Sequence, residues 1–298
     1  MKDVTIITVN YNGFAITCEL IDSLQKVGFE GEIIVVDNAS RADEAALIAQ
    51  KYPLVTTIRS EENLGFAGGN NLGVRKTKTK YLLFLNNDTT VTEPMWTPMI
   101  ERLESAESIG MVCPKIMFEY APDTIQFAGY TQLHPITLRN EMIGFNKKDE
   151  GQFQVAHAIP YAMGAAMLTS REVIDKAGEM PECYFLYYEE LDWSERIKEA
   201  GFTIWYEPLS RIFHKESAAT GRMSPLKQYY LTRNRLFFVR RNLKGVSVFV
   251  AVSYQFLISL AKNCVVFILQ RRFDLFNATL KGFIHGMKMM LSYDGKCD

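Results

Sequence analysis

The chain has 298 residues, 48% hydrophobic and 22% charged, with a formal net charge of −1. This is ordinary globular usage with enough length for a sizeable core, and it excludes disordered, collagen-like and low-complexity classes. The balanced charge excludes a globally basic nucleic-acid binder, yet it averages two opposed parts: 225–298 holds twelve Lys and Arg against three Asp, and 1–224 holds 21 basic and 31 acidic residues.

Residues 4–9 are a continuous apolar, β-branched run, as in a strand buried on both faces. Asn10-Tyr11-Asn12-Gly13 ends it, and Ile16, Leu20, Ile21 and Leu24 give 15–27 a helical period. A second strand at 32–36 stops at Asp37-Asn38 and precedes a helix at 42–51. A third strand at 54–58, a third helix at 69–77 and a fourth strand at Tyr81–Leu85 lead to Asn86-Asn87-Asp88. This alternation predicts an α/β fold with a mostly parallel central sheet and helices on both faces. In such sheets ligands bind beyond the carboxyl ends of the strands, where these three polar clusters fall.

Further on, 111–118 and 126–130 read as strands and 140–154 as a polar loop. The stretch 159–169 contains Gly164-Ala165-Ala166, where backbone can approach a ligand. Residues 189–200 form a helix closed by Gly201, and 202–206 and 211–214 are short strands. From Leu226 the character changes. Aromatics and Leu interleave with Arg233, Arg235, Arg240 and Arg241, and 245–261 has no charge at all. After Lys262 a second apolar run, 265–269, enters Arg271-Arg272. A membrane span needs about 20 apolar residues, so three readings stand: a helix lying on a membrane with basic residues toward headgroups, a buried or dimer-interface helix, or a true span. We divide the chain into a domain at 1–224 and a basic, apolar, helical extension at 225–298. The N-terminus enters a strand at once and shows no signal-peptide pattern. Five widely spaced cysteines without a CxxC argue against a disulfide framework or zinc ribbon and for a reducing compartment.

Several clusters suit chemistry. Asn86-Asn87-Asp88 has the oxygen donors for a hard divalent cation, or is an Asx-rich turn. Asp37 fits a hydrogen bond from a base or ribose hydroxyl, or a helix cap. The Gly-rich run 63–71 opens a helix, where backbone N–H groups favour an anion. Tyr187-Tyr188-Glu189-Glu190-Leu191-Asp192 places three carboxylates at a helix start behind an apolar approach. That pattern fits either the helix dipole or a partly buried general base. His214 follows apolar residues as a structural imidazole or a metal ligand.

In this order the segments resemble family 2 glycosyltransferases with the glycosyltransferase-A fold, in particular the rhamnosyltransferase-like subgroup. They are Asn10-Tyr11-Asn12, Val36-Asp37-Asn38-Ala39-Ser40, Asn63-Leu64-Gly65-Phe66-Ala67-Gly68-Gly69-Asn70-Asn71, Asn86-Asn87-Asp88, Tyr188-Glu189-Glu190-Leu191-Asp192, His214 and Tyr229-Tyr230-Leu231-Thr232-Arg233-Asn234-Arg235. The resemblance implies an inverting transferase that moves a sugar, rhamnose or another hexose, from a nucleotide-diphospho-sugar to a glycan or lipid-linked acceptor in cell-surface polysaccharide synthesis. It implies that Thr8, Asn10, Tyr11 and Asp37 hold base and ribose, and that Gly68 and Asn71 close over the nucleotide. Asn87 would stand beside it. Asp88 and His214 would hold Mg2+ or Mn2+, and Glu190 would be the general base. The family pattern has Asp at the base position and an acidic residue where this chain has Asn86, so Asp192 shares the base assignment with Glu190. A sugar-nucleotide pyrophosphorylase would place a Gly-rich run with Arg and Lys after the first strand, where Asn10-Tyr11-Asn12 stands. A non-catalytic subunit docking on a membrane assembly is the remaining alternative. The basic tail leads us to expect peripheral attachment at the cytoplasmic face of the membrane, with a second copy of the chain as another candidate partner and no nucleic acid.

Overall fold

The structure is a computed structural model and describes residues 3–215 and 224–295. Met1 and Lys2 of the expected leaderless N-terminus, residues 216–223 and Cys297 lie outside the described residues.

The first half runs β1 (Val4–Asn10), α1 (Phe14–Lys26), β2 (Glu32–Asp37), α2 (Glu44–Lys51), β3 (Thr56–Arg59), α3 (Gly65–Lys76) and β4 (Tyr81–Leu85). There follow β5 (Thr89–Thr90), α4 (Trp96–Glu104), β6 (Ile109–Phe118), β7 (Ala121–Phe127), β8 (Lys147–Lys148), β9 (His157–Ile159), β10 (Ala166–Ser170) and α5 (Arg171–Ala177). A single 3₁₀ turn, Glu182–Tyr184, precedes α6 (Glu189–Glu199) and β11 (Thr203–His214). The extension contains α7 (Pro225–Asn242), α8 (Val246–Tyr254), a π-helical stretch Gln255–Leu260, α9 (Ala261–Leu269) and α10 (Phe273–Ser292).

The sheet order is β3-β2-β1-β4-β10-β6-β11-β5. The first four strands are parallel, as are β6 and β11, and β10 is antiparallel to both its neighbours. This is the mostly parallel α/β sheet the hydrophobic pattern predicts. Ile6, Ile7, Ile34, Val35, Leu82 and Leu83 are fully buried between helical layers, which is why their strands carry no polar alternation. The register Asn10↔Asp37 sets two polar strand ends side by side.

Some boundaries differ from the pattern. Helix α3 starts at Gly65, four residues before the expected 69, because its glycines serve packing and not a loop. A Cβ on Gly73 would lie 2.5 Å from Ile7 Cγ2, so the helix rests directly on β1. Strand β7 starts at Ala121 instead of 126, and β11 is one strand, irregular between Glu207 and Arg211, where two were expected. Helices α4 and α5 were not anticipated. Cys18, Cys113 and Cys264 are free thiols, but Cys183 is disulfide-bonded, which the spacing argument did not foresee.

The extension is built into the molecule. Phe237, Phe238 and Val239 of α7 share a buried cluster with Tyr184, Tyr188 and Leu191. Helix α10 packs closely on α7: a Cβ on Gly282 or Gly286 would lie 2.6 Å from the carbonyl oxygens of Tyr229 and Arg233. From Val246 to Leu269 the chain is one helix of 24 residues, long and apolar enough to cross a membrane. Ala251, Gln255, Ser259 and Phe267 face inward, whereas Val246, Phe249, Leu257, Val265, Ile268 and Leu269 are exposed. A π turn holds more residues than an α turn. The six residues 255–260 therefore set the helix back by about one residue step, which keeps the exposed residues before and after it on one stripe.

Candidate active site

Polar side chains gather at the ends of β1 and β2. Asn10 and Asp37 are wholly buried. Asn10 Nδ2 donates to Glu44 Oε2 at 2.8 Å and to Asp37 Oδ1 at 3.2 Å, and its Oδ1 accepts from Thr17 Oγ1 at 2.7 Å. Arg59 Nη1 donates to the other Asp37 oxygen at 3.2 Å. Asn87 Nδ2 joins the chain through Thr17 Oγ1 at 3.0 Å. Tyr11 beside them is 47% exposed, so its ring is free to meet a planar ligand. Thr8 Oγ1 is buried without a hydrogen-bond partner.

The Gly-rich segment is fastened to the chain before α6. Gly65 has φ +73° and touches Phe185, whose carbonyl oxygen would lie 2.1 Å from any added Cβ. Phe66 N donates to that same carbonyl at 2.7 Å. Asn71 is buried: its Nδ2 donates to the Met180 carbonyl at 2.9 Å and to Glu182 Oε1 at 2.8 Å, and its Oδ1 accepts from Met180 N. A Cβ on Gly68 would meet Leu64 Cβ at 2.6 Å and Glu182 Oε2 at 3.4 Å.

Asp88 and His214, 126 positions apart, come together with Oδ1 and Nε2 at 3.1 Å. Gln126 Oε1 holds the other ring nitrogen, Nδ1, at 2.8 Å. With Nδ1 donating to Gln126, the Nε2 lone pair faces the Asp88 carboxylate, an arrangement that a cation between them makes favourable. Among the described residues no cluster of three or more His, Cys, Asp or Glu could hold a metal ion. A cation here would draw its remaining oxygens from water and a bound diphosphate, the usual shell for Mg2+.

Three carboxylates open α6, and their surroundings separate them. Asp192 is 1% exposed and fully engaged. It accepts from Tyr184 Oη (2.7 Å), Arg241 Nε (2.7 Å) and Nη2 (3.0 Å), and Asn242 Nδ2 (3.0 Å). Glu189 and Glu190 each keep a buried Oε2 with no hydrogen-bond partner among the described residues. Burial pushes the Glu190 carboxyl up to about 7, against the pull of backbone hydrogen bonds. Burial and then the Glu190 charge raise Glu189 well above the usual range.

The segment leading to these carboxylates is strained and needs holding. Phe185, Tyr187 and Tyr188 all have left-handed backbone, with φ of 66°, 67° and 79°, a conformation that costs of order 1 kcal/mol or more for each such residue. Helix α7 supplies the restraint. The buried Asn234 Nδ2 donates to the carbonyls of Tyr184 (3.0 Å), Leu186 (2.7 Å) and Tyr187 (2.7 Å). Arg233 adds a bond to the Tyr184 carbonyl, and Arg235 Nε donates to Tyr188 Oη at 2.8 Å. Phe185 stacks on Tyr230 with ring centroids 5.1 Å apart.

The family model described as "Glycosyl transferase family 2" matches residues 5–178, over half of the chain. The chain belongs to glycosyl transferase family 2. Among its relatives is the low-salt glycan biosynthesis hexosyltransferase Agl10 of Haloferax volcanii, 21% identical, with 97% of this chain and 92% of that enzyme covered. Another is the N-acetylglucosaminyl-diphospho-decaprenol L-rhamnosyltransferase of Mycobacterium tuberculosis, 22% identical over 64% of this chain and 68% of that enzyme. The fold is similar to that of the mannosyltransferase PcManGT from Pyrobaculum calidifontis, solved in complex with GDP-Man and Mn2+. That match has a TM-score of 0.56 and 14% identity, and covers 99% of this chain and 88% of that one. The protein is thus a glycosyltransferase of the glycosyltransferase-A fold that uses a nucleotide-sugar donor.

In this family 2 glycosyltransferase the structure gathers Asn10, Asp37 and Asn87 at one end of the sheet, joins Asp88 to His214, and sets Glu190 at the head of α6. It gives three residues duties the sequence did not foresee. Asn10 and Asn71 are engaged with the protein itself. Asp192 anchors α7. Of the arginines expected to face headgroups, Arg233, Arg235 and Arg241 of α7 turn inward, whereas Arg240 and Arg271 are exposed. The residues missed were Glu44, Glu182, Asn234 and Arg241. The run Thr232-Arg233-Asn234-Arg235 was quoted as part of the family resemblance, but nothing in it indicates three backbone acceptors some 50 residues earlier.

Proposed function

We propose that this glycosyltransferase inverts the anomeric carbon of a nucleotide-diphospho-hexose in one displacement by an acceptor hydroxyl. The observation that carries the reading is Glu190: a carboxylate with a buried, partnerless oxygen and a pKa near 7 is suited to take a proton at neutral pH. Asp192 is committed to four hydrogen bonds, two of them from Arg241, so Glu190 is assigned as the base. Tyr11 packs on the nucleotide base, the Asn10–Asp37 network shapes the ribose pocket together with Thr8, and α3 with Gly68 and Asn71 closes one side. Asn87 lines the pocket beside Asp88. Asp88 and His214 would hold a divalent cation, Mg2+ or Mn2+. When bound, such a cation neutralises charge developing on the departing nucleoside diphosphate.

The sugar is a hexose such as rhamnose, a reading supported by the hexosyl- and rhamnosyltransferase relatives. The mycobacterial relative's name pairs rhamnosyl transfer with a lipid-linked sugar, and we extend that class of acceptor to this chain, within cell-surface polysaccharide synthesis. The exposed stripe on α8 and α9, with Lys244, Lys262 and Arg271 exposed around it, supports a helix lying on the cytoplasmic face of the membrane. The test is transfer by Glu190→Gln and by Asp192→Asn with Mn2+ and a panel of nucleotide sugars. Loss in the first with turnover kept in folded Asp192→Asn supports the assignment; the reverse pattern overturns it.

A further inference from the structure

Two guanidinium groups near the start of α6 have no carboxylate partner among the described residues. Arg235 uses Nε on Tyr188 Oη, and its terminal nitrogens have no hydrogen-bond partner among the described residues. Tyr188 Oη in turn donates to the Leu138 carbonyl at 3.2 Å, so one hydroxyl ties Arg235 to the backbone next to Arg139. The Arg139 side chain makes no hydrogen bond or ion pair with any described residue. Arg139 is exposed to solvent, and partial desolvation, followed by the Arg235 charge, lowers its proton affinity below the ordinary value. The neighbouring Arg241 shows the contrast, with Asp192 bound to it through two nitrogens.

The apolar helix adjoins the same place. Gln255 Nε2 donates to the Thr137 carbonyl at 3.2 Å, fastening the loop that carries Arg139 to the π stretch. Arg235 and Gln255 also line one small cleft with Thr232, Ser259 and Asn263. The Arg139–Arg235 pair and the inward face of the apolar helix therefore lie around Tyr188, two residues before Glu190, with the exposed stripe on the opposite face of that helix. The donor's polar groups lie elsewhere, at the ends of β1, β2 and β4.

We propose that Arg139 and Arg235 bind the phosphate or diphosphate of an amphipathic acceptor, whose apolar chain lies along the α8–α9 stripe and whose sugar reaches Glu190. Guanidinium is suited to this because its planar fork donates two parallel hydrogen bonds to phosphate. The inference rests on the reading of a lipid-linked acceptor given above, and it specifies where the anionic group sits.

The probes are farnesyl diphosphate, farnesol and inorganic diphosphate, with binding to the full chain followed by thermal shift and titration. Farnesyl diphosphate is expected to bind the unaltered chain at least tenfold more tightly than either of the other two. Arg139→Gln, which loses no side-chain hydrogen bond or ion pair to a described residue, should weaken it about tenfold or more while keeping the unliganded melting temperature. Arg139→Gln/Arg235→Gln should weaken it further. Unchanged affinity in both variants overturns the site. Inorganic diphosphate binding as tightly as farnesyl diphosphate also overturns it, since the apolar chain would then contribute nothing. Donor hydrolysis by the unaltered chain is measured in parallel: its absence counts against the transferase reading, whereas loss of arginine dependence counts only against this site.

Discussion

On the proposed donor wall, polar side chains at the ends of β1 and β2 satisfy one another. Asn10, Thr17, Asp37, Glu44 and Arg59 form one network, and nearly every buried polar atom there has a partner. On the acceptor wall, Glu189 and Glu190 keep buried oxygens unpaired at the end of a segment with three left-handed residues. The first wall holds itself in shape. The second does not, and it is kept in place from outside by Asn234, Arg235 and Arg241 of α7. Buried polar groups without partners are rare in folded proteins; the end of β1 has the Thr8 hydroxyl, whereas the head of α6 has two carboxylate oxygens, which are able to accept a proton.

The comparison breaks most readily at Glu190. Glu190→Gln is expected to lower transfer by about 10²–10⁴-fold, the usual contribution of a positioned general base, with nucleotide affinity by titration unchanged. Asp192→Asn should act on stability instead. It leaves the Arg241 guanidinium buried without its counter-charge, and losing one partner of such a pair costs about 3 kcal/mol, read as a lower midpoint in a urea melt. Asn234→Ala should lower kcat about tenfold through misplacement of the base, with KM for the donor unchanged. As water then reaches Glu190, the acid limb of the pH–rate profile should move to lower pH. A purely structural role for Asn234 would lower the melting temperature and leave that limb in place.

The smallest effect concerns stability and pH. A free Glu loses its proton near pH 4.3, whereas folded Glu190 keeps its proton up to about 7. Between these values the folded state binds more protons, so Glu190 makes stability fall as pH rises through the window. Glu190→Gln removes that loss. The variant should melt above the unaltered chain at pH 8 and together with it at pH 4.

The donor wall was legible because it is local: each polar cluster directly follows an apolar strand, and the parallel order places those ends together. The acceptor wall was legible only as a cluster of three carboxylates. Which of them is free depends on Arg241 and Asn242, some 50 residues later, and no spacing rule connects those positions. The same distance hid the role of Asn234. The arginines of α7 misled because a basic residue beside an apolar run reads equally as facing headgroups or as facing a buried carboxylate. Helix α3 was shortened in the sequence reading because glycine signals loops, whereas Gly73 is there for close contact with Ile7.

The account stands on Glu190 acting as a base from a buried setting. The most direct measurement is kcat/KM for transfer between pH 5 and 9, which reports the free enzyme's titrating group. A rate that falls tenfold per pH unit below a midpoint near 7 is the predicted result. A rate that stays level down to pH 5 would contradict it.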